Sequence, residues 1–188
     1  MLLSKINVLD HGYVGLLDTT LGQTNLKNVS DNYFKTRINR ELFKVASATF
    51  IVKLPLFVQV FLSQFDFKII PLPSDNELES YVPDVSEIDT GVAEDDRRIA
   101  DYIKQTTDAL SMNSKGFQME GCDRFTSQTL TPISKYNEVI VHGNLQAWME
   151  LLKRKKLPKQ IELYREAIEE LMKTEWLDLD LYRGKKNG

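Results

Sequence analysis

GNLQAWMELLKRKKLPKQIEL, residues 143–163, carries the signals of two successive helices. Asn144, directly after Gly143, is a preferred helix N-cap, since its side-chain oxygen can accept a first-turn backbone N–H. A helix is predicted over about 144–154. The run Lys153-Arg154-Lys155-Lys156 falls at its end, where cations meet the negative pole of the helix dipole. Pro158 then suits the first turn of a second helix, predicted over about 159–175. Trp148 reads as a core side chain before it reads as a stacking platform.

Working outward, SKYNEVIVH (134–142) reads as a strand leading into this pair. At the other end of the chain, KINVLDHGYVGLL (5–17) holds two apolar runs split by Asp10-His11-Gly12, which predicts two paired strands. Residues 18–33 read as loop with a short helix, and 41–54 begin ambiguously and end as a strand from Thr49 to Leu54, broken by Pro55. Residues 56–65 (LFVQVFLSQF) are apolar on most faces, and periodicity does not choose between helix and strand. Residues 66–93 carry prolines and many acidic residues and read as an irregular loop or insertion. Residues 94–112 form an amphipathic pattern, with Ile99, Tyr102, Ile103, Thr106, Ala109 and Leu110 on one stripe and Glu94, Asp95 and Asp96 at the favoured end of the dipole. Gly116 and Gly121 interrupt the stretch that follows, and the tail 183–188 reads as frayed. There is no internal repeat and no linker, so 1–188 is expected to be one domain.

At 188 residues, with 42% hydrophobic and 27% charged side chains, the chain can bury a sizeable core. A formal net charge of −3 gives no electrostatic case for nucleic acid or an anionic membrane. The most apolar run, 48–62, is short and contains Lys53 and Pro55, so a buried element is expected and not a membrane span. No signal peptide is read at the start. Cys122 is the single cysteine, which excludes an intrachain disulfide and fits a reducing, cytoplasmic setting. His11 and His142 lack partners at metal-ligand spacing, so no metal is expected, and Cys122 reads as a small buried side chain.

The order Gly143, Asn144, Leu145, Trp148, Leu152, Arg154, then Gln160 and Glu162, resembles the G-N-L-R-x-W-x-x-F-L-x-x-R…Q-x-E helix of the flavin-dependent thymidylate synthases. Two further segments extend the resemblance. VLDHGYVGLLDTT is similar to that family's opening strand pair. LFKVASATFIVKLPLFVQVFL is similar to its P-F-E-H…T-F-x-V-x-x-P-x-F-V stretch, through Phe43, Thr49, Phe50, Val52, Pro55, Phe57 and Val58. The helical segment between those two pieces is shortened here.

The flavin signature R-H-R-x-x-S-x-N-E-x-S-x-R-Y is preserved only in its second half, as Ser74, Asn76, Glu77 and Tyr81. The R-H-R triplet is absent: it falls on Gln64, Phe65 and Asp66, or, with Ser74 aligned, on Ile69, Ile70 and Pro71. Val45 stands where the family has the histidine of P-F-E-H, Gln146 where it has the arginine of N-L-R, and Asn137 where another nucleotide-binding arginine is expected. A nucleotide monophosphate is best held by arginine forks. Losing several charged hydrogen bonds, at about 1.5–3 kcal/mol each, weakens binding by orders of magnitude. Lys68 and Lys135 are the candidate replacements.

The resemblance implies an α+β fold, an antiparallel or mixed sheet packed with helices, of the thymidylate synthase-complementing-protein type. It also implies a homotetramer with shared active sites, and conversion of dUMP to dTMP with FAD and methylenetetrahydrofolate. On that basis Arg154 is the catalytic and substrate-binding candidate. Gln64 and Gln146 are further substrate contacts, and Asn144, Ser74, Asn76 and Glu77 are FAD contacts. Each has a plainer reading: Arg154 in a solvated basic run, Asn144 as a cap, and Ser74 with Glu77 as a capping box. Two functions stay open. One is a divergent enzyme that binds flavin and a pyrimidine nucleotide. The other is a non-catalytic paralogue acting as a binding, structural or regulatory subunit, with a protein partner.

Overall fold

The computed structural model describes residues 4–20, 43–73 and 79–176. In chain order the elements are strands β1 (Ser4–Val8), β2 (Gly12–Thr20), β3 (Ser47–Pro55), β4 (Lys68–Pro71) and β5 (Tyr136–Asn144). The helices are α1 (Leu56–Leu62), α2 (Ala93–Met119), α3 (Arg124–Gln128), α4 (Leu145–Leu152) and α5 (Lys159–Glu175). The chain divides into two compact units: Met1–Leu54 with Val58–Leu72 and Glu138–Gly188, and Pro55–Phe57 with Pro73–Asn137.

The first unit is built on one five-stranded sheet in the order β1-β2-β3-β5-β4. β1 and β2 form the expected hairpin, with Ser4 opposite Leu16 and Val8 opposite Gly12. β2 continues antiparallel onto β3 with a bulge between Leu16 and Asp18. β3 and β5 are antiparallel as well, because Leu145 N donates to Ala46 O at 2.7 Å while Thr49 meets His142 further along. β4 closes the edge against β5.

Alternation along the strands separates two faces. Ala48, Phe50, Val52 and Leu54 of β3, with Val14 and Leu16 of β2 and Val139 and Val141 of β5, are fully buried. Their cover comes from α4 and α5, whose Trp148, Leu151, Leu152, Tyr164, Ile168 and Met172 are also sealed from solvent. Gly12 is required by that packing: a Cβ there would strike the Tyr164 hydroxyl, which donates to Lys53 O at 2.9 Å.

In the second unit α2 packs on α3 and on the short 3-10 turn Val85–Glu87. Leu56 N and Phe57 N donate to Lys135 O and Ile133 O at 2.9 and 3.1 Å. The Phe57 and Tyr81 rings lie 6.0 Å apart. Ahead of α2, Thr90 N and Oγ1 both donate to Asp96, at 2.9 and 2.6 Å, which holds that carboxyl below its ordinary range.

Three expectations change. Lys68–Pro71, inside the stretch read as irregular, is a strand. It is short, lies at an edge and pairs only with a segment far away in the chain, so no local pattern announces it, and an edge tolerates its proline. The undecided segment after Pro55 is helical from Leu56 to Leu62. Helix α2 runs on through Gly116 to Met119 and buries Ala100, Thr107, Ser111 and Ser114, leaving Tyr102, Thr106 and Ala109 exposed. Small residues win the inward face because they allow close approach; the buried Ser114 hydroxyl donates to Ser127 O at 2.8 Å.

Candidate functional site

Helix α4 is the centre of the candidate site, and its first turn is held by three features. Asn144 is its N-cap, with the side-chain oxygen accepting from Ala147 N at 2.9 Å. Gly143 lies under the Phe67 ring, where a Cβ would come within 2.5 Å of the ring edge. Trp148 donates from its indole N–H to Gly143 O at 3.0 Å and to Ala48 O at 3.3 Å. Its ring meets Phe67 at 4.2 Å and Phe50 edge-on at 4.9 Å. Trp148 is therefore core, as its plainer reading has it.

The other end of α4 is open. Arg154 lies past the last helical residue, is exposed, and sets its guanidinium carbon 5.5 Å from the centre of the Phe65 ring. Phe65 joins Phe61 and Phe67 in a chain of rings, at 5.5 and 5.7 Å, that runs back to Trp148. Gln64 is exposed and adjoins Phe65 in the chain. Asn144 and Gln146 belong to the opposite end: eight helical residues span about 12 Å. Gln146 is exposed there and donates to Glu150 at 3.4 Å. Ser74, Asn76 and Glu77 lie outside the described residues.

The outward face of the sheet adds groups that one-dimensional reading set aside. His142 Nδ1 is 2.9 Å from Thr49 Oγ1, and Lys68 sits opposite His142 on β4. Paired residues of an antiparallel ladder share a face, so Lys68, His142 and Thr49 form a row two residues before Asn144. No local motif could announce this row, because three strands distant in sequence build it. Further along the same face, Lys5 caps the Tyr13 ring at 3.8 Å. Tyr13 is pushed up to about 12 by burial, then by its hydrogen bond to Glu138 and that carboxylate's charge.

A second residue was missed. Arg165 is almost buried on α5, pairs with Glu162 at 2.8 Å and donates to Leu152 O at 3.3 Å, so it ties the end of α4 to α5. Its Nε is buried with no hydrogen-bond partner among the described residues. Glu162, the acid of the Q-x-E resemblance, is thus engaged in a helix pair.

The described residues do not fit a flavin in the manner the resemblance implies. Neither register of the absent R-H-R triplet supplies a cation. In one, Phe65 is buried in the ring chain. In the other, Ile69, Ile70 and Pro71 are β4 itself. Val45, in the histidine's place, is 66% exposed and apolar. The oxygen of Asn144 is engaged by the helix it caps.

The architecture is that of an α+β protein with an antiparallel sheet, covered on its buried face by the α4–α5 pair. Two solved structures share this fold, both of a UMP/dUMP methylase, PolB from Streptomyces cacaoi. The one bound with 5-Br UMP has a TM-score of 0.68 at 18% identity, covering 90% of this chain and 92% of that one. The one bound with 5-Br dUMP has a TM-score of 0.69 at 17% identity, covering 90% and 93%. No protein-family profile matches the chain, and no curated protein does.

Proposed function

We propose that this chain is a uridine-nucleotide-binding protein on a thymidylate synthase-like scaffold, a distant relative of the flavin-dependent enzymes, with Arg154 as its principal ligand contact. The observation that carries the reading is the exposed Arg154 guanidinium, set over Phe65 with no carboxylate paired to it among the described residues. The neighbours support it: by name they methylate UMP and dUMP and were bound with bromouridine nucleotides. Conversion of dUMP to dTMP is likewise a methylation of a uridine nucleotide. Gln64 adjoins Phe65, the ring under Arg154, and Lys68 with His142 offers a second, basic patch near Asn144. The nucleotide phosphate needs charge, which Arg154 and Lys68 carry.

A second reading has its own observation. The R-H-R positions hold no cation in either register and Val45 replaces a histidine, which favours a non-catalytic paralogue acting as a binding or regulatory subunit. Both readings are soluble-protein readings by expectation; no helix among the described residues is long and apolar enough to cross a membrane. The experiment is a purification followed by two assays. A yellow protein that turns dUMP into dTMP with methylenetetrahydrofolate supports the enzyme. A colourless protein that binds dUMP without turnover supports the paralogue. A protein that binds no uridine nucleotide at all contradicts the proposal.

A further inference from the structure

Arg165 joins α5 to the end of α4 in a way that core packing does not require. The last carbonyls of a helix have no partner within it and must find one elsewhere. At the end of α4, Leu151 O accepts from Arg154 N at 3.0 Å, inside the connection itself. Leu152 O accepts from Arg165 Nη1, on the neighbouring helix, at 3.3 Å. The chain then turns back through Lys156, which is left-handed at φ 58° without being glycine. A side chain holds that conformation only where its surroundings impose it. Arg154 therefore lies between two fixed points, a helix end anchored by Arg165 and the turn at Lys156.

The rest of the guanidinium is held by carboxylates. Nη2 lies 2.8 Å from Glu162 and 3.8 Å from Glu166, and Nη1 lies 3.9 Å from Glu169, which also pairs with Lys173 at 2.9 Å. The side chains of Arg165 and Glu169 are only 11% and 10% exposed. A buried ion pair is weak evidence for stability, because apolar side chains of similar volume often serve a core as well. Arg165 Nε is also buried with no hydrogen-bond partner among the described residues, which stability alone disfavours. What the planar fork does, and an apolar side chain or an ammonium does not, is span a carbonyl and a carboxylate at fixed spacing. Glu162 and Glu166 are moreover the first acids after the Lys153–Lys156 run. With both drawn to Arg165, the Arg154 guanidinium is left to Phe65 and solvent. We infer that Arg165 is a positioning residue, which fixes the end of α4 and so holds Arg154 where a nucleotide meets it. Arg165 touches no ligand itself. The inference rests on the reading of Arg154 as the nucleotide contact, but the placing of Arg154 can be measured without a nucleotide.

The test reads Arg154 in the whole protein, with and without ligand. Nuclear Overhauser contacts between the Arg154 side chain and the Phe65 ring, identified by their loss in Arg154→Ala, report where the guanidinium lies. Calorimetry with dUMP reports what it does. Arg165→Lys keeps the charge beside Glu169 and gives up the fork. It unfolds close to wild type, loses the Arg154–Phe65 contact and weakens dUMP about fivefold, the size expected for coupled neighbours. Added to Arg154→Ala, it weakens dUMP no further. Glu162→Gln moves both readouts the same way by less, and it decides the matter where Arg165→Lys does not fold. Contact and affinity left at wild-type values in these variants overturn the inference. So does a loss that adds in full to that of Arg154→Ala, which a merely structural arginine produces. A wild type that binds no dUMP, with the contact still lost in Arg165→Lys, overturns the nucleotide reading and leaves the positioning of Arg154 standing.

Discussion

The two ends of α4 carry equally suggestive residues and are built differently. At the front, Gly143, Asn144 and Trp148 are each fixed by a contact internal to the fold: a ring against the glycine, a cap, and two indole hydrogen bonds. At the back, Arg154 touches one ring and faces solvent. The front residues would persist in any protein that kept this fold, whatever it bound. A residue that the fold does not need carries more information about function, and Arg154, just past the end of α4, is such a residue.

Substitutions should separate the two ends sharply. Trp148→Ala removes a fully buried side chain and its two hydrogen bonds, and is expected to cost about 3–5 kcal/mol in denaturant unfolding. Gly143→Ala forces a Cβ into Phe67 and should cost about 1–3 kcal/mol by the same measurement. Asn144→Ala loses only the cap, worth about 1 kcal/mol. Arg154→Ala should leave stability within about 0.5 kcal/mol of wild type. An Arg154→Ala variant as destabilised as Asn144→Ala would erase the distinction between the ends.

The smallest effect concerns the far side of the sheet. The neutral form of Tyr13 is favoured in the fold. Its stabilisation is therefore complete below the ordinary value of 10.0 and is lost as pH rises through about 12. Ultraviolet titration of tyrosinate should show a late group that is lost in Tyr13→Phe. Glu138→Gln should move it only part of the way down, because burial is the larger cause. A Tyr13 that ionises near its ordinary value of 10.0 would mean this face is wetter than its neighbours suggest.

Local signals in the sequence suffice for the β1–β2 hairpin and the α4–α5 pair, while the α+β class follows from the family resemblance. Asp10-His11-Gly12, Asn144 and Pro158 each act within a few residues of themselves. What depended on distant partners was not legible. β4 exists because Lys68–Pro71 pairs with Val139–His142. The Thr49–His142–Lys68 row exists only once three strands are assembled. The apolar stripe expected on α2 lost the inward face to small residues that pack more closely, and its Tyr102, Thr106 and Ala109 are exposed. Of the candidate site, sequence order offered Arg154 and Gln64 as candidates. It could not tell that Asn144 and Gln146 lie a helix length away from Arg154.

We propose that Arg154 is present for a ligand and not for the fold. The direct measurement is calorimetric titration of dUMP into wild type and Arg154→Ala, with both unfolding curves recorded. The account predicts saturable binding to the wild type, weakened about tenfold or more in the variant, with unchanged stability. Equal affinity in the two proteins, or no binding to either, would contradict it.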